Sequence, residues 1–165
     1  LGLLSEAGLR VWMLTGDRPE TAVNIAYSCR LLDDSADLLY LAGTDVQKDM
    51  KQAMERVGPA TVLLIDGPVV EKALGTPAAR RLFVQLACRC RSVLACRVSP
   101  LQKALLVRAV KDGHKGVTLA IGDGANDVGM LQAAHIGVGI SGREGMQAVR
   151  AADFAIGQFR FLGRL

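Results

Sequence analysis

The sequence predicts an α/β fold built on a mostly parallel sheet. Short apolar runs recur along the chain, each ends at a turn rich in glycine, aspartate or proline, and helical patterns lie between them. The runs show no alternation of polar and apolar residues, which indicates strands that are covered on both faces. With 165 residues, the chain has the length of a single domain.

Six apolar runs are the predicted strands, and one of them is weaker than the rest. The five clear runs are 11–14, 62–65, 92–96, 117–121 and 136–140. A possible sixth strand, 38–41, lies in a polar connection. The stretch 33–91 carries weaker turn signals, so we expect it to be a peripheral elaboration of the sheet.

Helical periodicity predicts six helices, and two of their starts carry capping signals. The predicted helices are 19–31, 47–57, 78–90, 100–112, 126–134 and 144–151. Asp17 precedes Pro19 and Glu20, which predicts an aspartate N-cap. Ser99 precedes Pro100 and has Gln102 three residues later, which predicts a capping box.

Composition limits the classes of function. Half of the residues are hydrophobic and 22% are charged, so the chain is a globular domain and not a disordered tail. The net charge of +4 is too small to indicate nucleic-acid binding. No apolar run approaches 18 residues, so no membrane span is predicted. The chain begins with Leu1 and ends in mid-pattern, and we therefore expect a piece of a longer protein.

The four cysteines do not have the spacing of a metal site. Cys88 and Cys90 form a C-x-C pair, Cys96 follows six residues later, and Cys29 lies elsewhere, whereas zinc sites use C-x₂₋₄-C pairs with a second pair or histidines. We expect reduced, mostly buried thiols.

The strongest chemical signal lies at 122–127, where Asp123 and Asp127 follow a predicted strand four residues apart. If both carboxylates face one crevice at ~4 Å, their repulsion is roughly 4 kcal/mol at an effective dielectric constant of ~20. A divalent cation relieves that repulsion, and oxygen ligands favour magnesium. Gly122 and Gly124 would let the backbone approach a phosphate. The alternative is that Asp123 caps a helix and Asp127 lies on its solvated face.

Two further polar groups follow predicted strands, where ligands bind in parallel α/β sheets, and a lysine lies on the helix after the second of them. The Thr15 hydroxyl and the amides after it could hold phosphate oxygens, or the turn could be an ordinary one with Asp17 as a cap. Arg97 directly precedes a capped helix. Lys103 lies in the first turn of that helix, where a cation is disfavoured unless an anion is nearby, although most such lysines are solvated.

The order of these groups along the chain resembles the haloacid dehalogenase-like phosphotransferases. A threonine at one strand end, a lysine on a later helix and an Asp-x-x-x-Asp loop match the second, third and fourth motifs of that superfamily. Longer strings resemble the P-type ATPases, and the last one resembles their type IV subfamily, the phospholipid flippases. They are MLTGDRPETAVNI at 13–25, CRVSPLQK at 96–103, AIGDGAND at 120–127 and GISGREGMQA at 139–148.

The resemblance implies a Rossmann-like, haloacid dehalogenase-type sheet with helices on both faces. Residues 1–165 would be the carboxy-terminal part of the phosphorylation domain of a larger membrane ATPase. The nucleophile of the family is the aspartate of an Asp-Lys-Thr-Gly-Thr loop, and this sequence contains no such string. The fold is therefore expected to be incomplete, without the nucleophile strand that lies between the strands near Leu14 and Leu119. The chain alone would then be inactive.

The resemblance also implies roles for individual residues. Asp123 would hold magnesium together with Asp127, and Asn126 and Asp127 would order the loop and the phosphate. Lys103 would neutralise phosphoryl oxygens, and the Thr15 hydroxyl would donate a hydrogen bond to one of them.

On the nucleotide side, Gly16 would offer its amide, and Asp17 and Arg97 would face the ribose and the phosphates of ATP. The expected partners are Mg²⁺, ATP, the upstream nucleotide-binding domain and nucleophile strand of the parent chain, a phospholipid carried by membrane helices, and an accessory subunit. The domain would lie on the cytosolic face of a plasma, Golgi or endosomal membrane. The alternatives are a soluble haloacid dehalogenase-like phosphatase and an inactive truncated interaction module.

Overall fold

Two compact units make up the chain, Leu1–Val98 (unit 1) and Ser99–Leu165 (unit 2). The structure is a computed structural model that describes residues 2–141 and 146–164. Residues 144 and 145 of the predicted helix 144–151, and 142–145 of the flippase-like string, lie outside the described residues. The assignment of residues 1–165 to one phosphorylation domain stays a prediction.

Unit 1 contains a four-stranded parallel sheet in the order β1-β4-β3-β2. The strands are β1 (Met13–Leu14), β2 (Asp37–Tyr40), β3 (Thr61–Asp66) and β4 (Ser92–Cys96). The helices are α1 (Gly2–Glu6), α2 (Pro19–Ser28), α3 (Val46–Arg56), α4 (Gly67–Leu74) and α5 (Pro77–Ala87). At least one helix lies between each strand of unit 1 and the next along the chain, with α2 between β1 and β2, α3 between β2 and β3, and both α4 and α5 between β3 and β4.

Unit 2 contains a three-stranded parallel sheet in the order β5-β6-β7. The strands are β5 (Leu119–Gly122), β6 (Ile136–Ile140) and β7 (Phe154–Ile156), and the helices are α6 (Pro100–Gly113), α7 (Val128–Ala133) and α8 (Gln147–Ala151). Short 3₁₀ turns span Ala125–Asp127 and Phe159–Arg164. The predicted fold class is confirmed, because every strand pair is parallel and helices alternate with strands.

The core of unit 1 is centred on β3 and β4. Every residue of β4 and the first five residues of β3 are buried, as in strands that are covered on both faces. Phe83 of α5 and Met50 of α3 are fully buried and are the two largest such side chains among the described residues. The expectation that 33–91 is peripheral is therefore wrong, since this stretch contributes a central strand and much of the core.

Several helix boundaries differ from the predicted ones. Helix α2 ends at Ser28, three residues early, because Arg30 adopts a left-handed φ of 58° and closes the helix. The amide of Leu31 donates to the carbonyl of Ala26, and that of Arg30 donates to Tyr27, which is the Schellman pattern. The sequence does not predict this helix end, because the left-handed position is occupied by Arg30 and not by the usual glycine. Helix α5 ends at Ala87, and α1, α4 and β7 were not predicted at all.

Each sheet ends on a strand that carries one of the sequence motifs. Within the described residues, β1 pairs with β4 alone and β5 pairs with β6 alone. On β5, Leu119 is 48% exposed, and Val117 just before the strand is 75% exposed. The outer edges of β1 and β5 thus present backbone groups without a strand partner.

No helix among the described residues has both the length and the apolar character needed to cross a membrane. The four cysteines are free thiols, of which Cys90 and Cys96 are buried and Cys29 and Cys88 are partly buried. Burial raises the pKa of the Cys90 thiol to about 11, and the nearby Cys88 adds to this shift.

We predict that Phe83→Ala destabilises unit 1 by about 3–5 kcal/mol, because it removes a fully buried ring and leaves a cavity in the core. Urea unfolding followed by circular dichroism measures the change. The matched control is Leu38→Ala on β2, which is 41% exposed and should cost about 0.5 kcal/mol or less. Equal losses in the two variants would contradict the placement of the core.

Candidate functional site

In unit 1, the site begins with a tight turn after β1. The Thr15 hydroxyl donates a hydrogen bond to Oδ2 of Asp17 over 3.0 Å, and the amide of Asp17 donates to Oγ1 of Thr15 over 3.1 Å. Asp17 therefore does not cap α2, whose N-cap position is held by Arg18 without a side-chain hydrogen bond. The predicted aspartate cap is wrong, because the threonine hydroxyl competes for the same carboxylate.

The turn after β4 is attached to the turn after β1 by backbone hydrogen bonds. The amide of Arg97 donates to the carbonyl of Asp17 over 2.9 Å, and that of Val98 donates to Thr15 over 3.1 Å. Arg97 adopts a left-handed φ of 49°, a conformation that costs about 1–3 kcal/mol in a residue other than glycine. These bonds hold the exposed Arg97 side chain at the carboxyl end of the sheet, where parallel sheets bind ligands.

Unit 1 thus brings together Thr15, Gly16, Asp17 and Arg97, all of which were predicted as site residues. A methyl group placed on Gly16 would meet no atom within 4 Å, so the space around this backbone is open. Cys96, one residue before Arg97, is a buried free thiol. Burial first, and then the carboxylates of Asp66, Asp17 and Glu20, raise the pKa of its thiol to about 11.

In unit 2, a buried ion pair forms the centre of the site. Nζ of Lys103 donates to Oδ1 of Asp127 over 2.8 Å, and the two side chains are only 11% and 10% exposed. The predicted capping box is confirmed and sets the position of Lys103, since Ser99 and Gln102 bond reciprocally at the start of α6. The solvated alternatives for Lys103 and Asp127 are therefore wrong.

The loop between β5 and α7 is built around the Asp127 side chain. A Cβ atom on Gly122 would lie 2.4 Å from Cβ of Asp127, so only glycine fits there. The space at Gly122 that was predicted for a phosphate is therefore occupied by the Asp127 side chain. The N-cap of the 3₁₀ turn is Gly124, so the reading of Asp123 as a helix cap is also wrong. Asp123 and Asn126 are exposed.

The two carboxylates of the loop have different surroundings, and this difference affects how the loop would bind a metal ion. Lys103 compensates the charge of Asp127, whereas Asp123 faces solvent. The loop offers carboxylate and amide oxygens, which are the donors that magnesium prefers. No three His, Cys, Asp or Glu side chains cluster in the described part of the chain. The residues present fit a magnesium ion that takes its other ligands from water and a phosphate.

Two features of the site were not found from the sequence. The left-handed backbone of Arg97 has no local signal, because arginine rarely adopts it. The hydrogen bond from Nζ of Lys111 to the carbonyl of Ala134, over 2.8 Å, joins α6 to the end of α7 and depends on how the helices pack. The sequence signal for this contact is limited to a basic residue, Lys111, in the last turn of α6.

Comparison with known proteins identifies the family. The phospholipid-transporting ATPase DRS2 of Saccharomyces cerevisiae is 47% identical to this chain over 174 residues, which cover 98% of the chain and 13% of that protein. The chain belongs to the phospholipid-transporting P-type ATPase family. Phospholipid-transporting ATPase DNF1 of Chaetomium thermophilum is 44% identical over 196 residues, covering 100% of the chain and 12% of that protein.

A plant relative extends the same result. Phospholipid-transporting ATPase 6 of Arabidopsis thaliana is 47% identical over 183 residues, which cover 98% of this chain and 15% of that protein. No family model matches the chain. The chain thus spans between 12% and 15% of the length of these flippase relatives. The resemblance stated from the motif strings is confirmed.

We predict that either Lys103→Met or Asp127→Asn alone destabilises unit 2 by about 3–5 kcal/mol, because each leaves a buried group without its partner. The double variant removes both charges and should lose clearly less than the sum of the two single losses. Urea unfolding of the four proteins measures this coupling. Additive losses would show that the two side chains do not interact.

Proposed function

We propose that this chain is the cytosolic phosphorylation-domain segment, at the carboxy-terminal side of that domain, of an ATP-driven phospholipid-translocating ATPase. The observation that supports it most is the buried Lys103–Asp127 pair beside the exposed Asp123, on the loop that carries the string AIGDGAND. The relatives are named phospholipid-transporting ATPases. As the resemblance of the motif strings implies, the parent enzyme would transfer the γ-phosphoryl group of ATP to an aspartate, hydrolyse the product, and move lipid towards the cytosolic leaflet.

Unit 2 would supply the magnesium-binding and charge-neutralising groups of the reaction. Asp123 would hold Mg²⁺, with Asp127 as a further ligand and Asn126 ordering the loop. Bound magnesium would withdraw negative charge from the phosphoryl oxygens. The Lys103 ammonium has three N–H donors, and one of them already binds Asp127. The remaining donors are free of that carboxylate and would neutralise a phosphoryl oxygen as charge builds up on it.

Unit 1 would supply groups that bind phosphate and nucleotide. The Thr15 hydroxyl would donate to a phosphoryl oxygen, and the amide of Gly16 would donate to another. In the structure this hydroxyl donates to Asp17, so phosphate binding must exchange one acceptor for another. Asp17 would then be released towards the ribose hydroxyls, and the exposed Arg97 would bind the phosphates of ATP.

The nucleophile would come from elsewhere in the parent chain. No Asp-Lys-Thr-Gly-Thr string occurs in these residues, so the chain alone should not form a phosphoenzyme. The unpaired outer edges of β1 and β5 support this proposal, because an added strand would satisfy their backbone groups. The other partners would be the upstream nucleotide-binding domain, the membrane helices that carry the phospholipid, and an accessory subunit. The parent would lie in a plasma, Golgi or endosomal membrane, with this segment on the cytosolic face.

In the parent enzyme, Asp123→Asn should lower the rate of phosphoenzyme formation by at least about a hundredfold, since it removes the charge that would hold magnesium. Acid-stable label from γ-labelled ATP measures this rate. Because Asp123 is exposed, the thermal stability of the variant should remain close to that of the wild type.

The matched control for this experiment is Asp112→Asn, which removes an exposed carboxylate near the end of α6 and should label normally. A normal rate of phosphoenzyme formation in Asp123→Asn would show that Asp123 is an ordinary surface residue. Label in the isolated wild-type chain would show that the nucleophile lies within these 165 residues.

We also predict that the amides of the edge strands exchange with solvent faster than those of the central strands in the chain by itself. Residues 13–14 and 119–122 should exchange quickly, whereas 62–65 should be protected, because β3 has partners on both sides. Appending a strand that carries the Asp-Lys-Thr-Gly-Thr sequence should slow exchange at both edges. Strong protection of both edges without that strand would contradict its proposed place.

A further inference from the structure

Helix α7 is too short to determine its own position. It has six residues and follows directly after Asp127, so any shift of the helix moves the site loop. A helix of this length is not stable by itself and takes its position from its neighbours. Helix α6 packs along it, and two lysines of α6 form hydrogen bonds to the two ends of α7.

The first attachment is the Lys103–Asp127 pair at the start of α7, which is already part of the proposed site. The second is the bond from Nζ of Lys111 to the carbonyl of Ala134, the C-cap residue of α7. Ala134 is 7% exposed, and the last carbonyls of a helix have no partner within the helix. Without Lys111, this carbonyl would be left buried without a donor.

The two attachments have matching separations. Lys103 and Lys111 lie eight residues apart, about 12 Å along α6, and Asp127 and Ala134 lie seven residues apart, roughly 10 Å along the other chain segment. Lys103, near the start of α6, binds the residue before α7, and Lys111, near the end of α6, binds the C-cap residue of α7. The two helices therefore run parallel, with their dipoles aligned. The cation of Lys111 lies where the negative ends of both dipoles meet, and it therefore stabilises this parallel arrangement.

We propose that Lys111 is a positioning residue, which acts through α7 to hold Asp127 and the 122–127 loop in the geometry that binds magnesium and phosphate. This proposal rests on the proposed function of the same loop. Lys111 does not touch the reacting groups, since its partner is the far end of α7. Its effect should therefore appear in the metal dependence and in the dynamics of the loop.

Two measurements on the parent enzyme test this role. In Lys111→Met, the Mg²⁺ concentration for half-maximal phosphoenzyme formation at saturating ATP should rise about tenfold, as for residues that orient metal ligands. Amide exchange at 127–129 should also become faster, although Lys111 of the wild type bonds to the opposite end of α7, at Ala134. Lys111→Arg keeps a long donor and should restore both values towards those of the wild type.

The matched control is Lys115→Met, which removes the same charge from an exposed position beyond α6 and should change neither readout. A folded Lys111→Met with wild-type magnesium dependence and wild-type exchange at 127–129 overturns the proposal. Faster amide exchange confined to 133–136 also overturns the proposal, because it would show that Lys111 only caps the end of α7. If Lys111→Met does not fold, Lys111→Gln is measured in its place, and failure of both to fold assigns Lys111 to stability alone.

The two proposals fail in different ways. A wild-type parent that forms no magnesium-dependent phosphoenzyme contradicts the proposed function. A normal wild-type enzyme with an unaffected Lys111→Met variant contradicts only the role of Lys111.

Discussion

The ion pair between Lys103 and Asp127 is the interaction on which the candidate site of unit 2 depends. Burying two charges has a large desolvation cost, and this cost is offset only where the geometry is close and neighbouring groups hold both partners in place. The capping box at Ser99 starts α6 at the residue that places Lys103, and Gly122 leaves the space that the Asp127 side chain occupies. A change at Ser99 would disturb the pair through the start of α6, whereas a side chain at Gly122 would clash with Asp127 itself.

Unit 1 reaches a comparable result with backbone hydrogen bonds. Its parallel ladder continues past β1, since the amide of Thr15 donates to the carbonyl of Ala95. Beyond that point, the turns that follow β1 and β4 bond to each other through Asp17 and Arg97. The left-handed conformation of Arg97 is the cost of joining them, and it is located at the carboxyl end of the sheet, where strained residues commonly serve a ligand.

Sequence reasoning succeeded where a local signal coincided with a global role. Ser99 and Gln102 predicted the start of α6, and the apolar runs predicted most strands. It failed where the decisive partner was distant. Asp17 has the position of a helix cap along the chain, but its carboxylate accepts a hydrogen bond from Thr15. The segment that contains β3 has weak turn signals, yet β3 is an interior strand that pairs with β2 and β4. Arg30 ended α2 without the glycine that usually marks such an end.

The α/β class, the family and the chemical types of the candidate residues follow from the amino-acid sequence, because they depend on local periodicity and on short strings such as AIGDGAND. Which carboxylate has its charge compensated and which is exposed depends instead on how the chain packs. Asp123 and Asp127 look alike along the chain, yet one meets the ammonium of Lys103, 24 residues away in sequence, in a buried environment, and the other faces water. That difference arises from the packing of α6 against α7, and the strength of a charge–charge interaction depends on such burial more than on the identity of the charged groups.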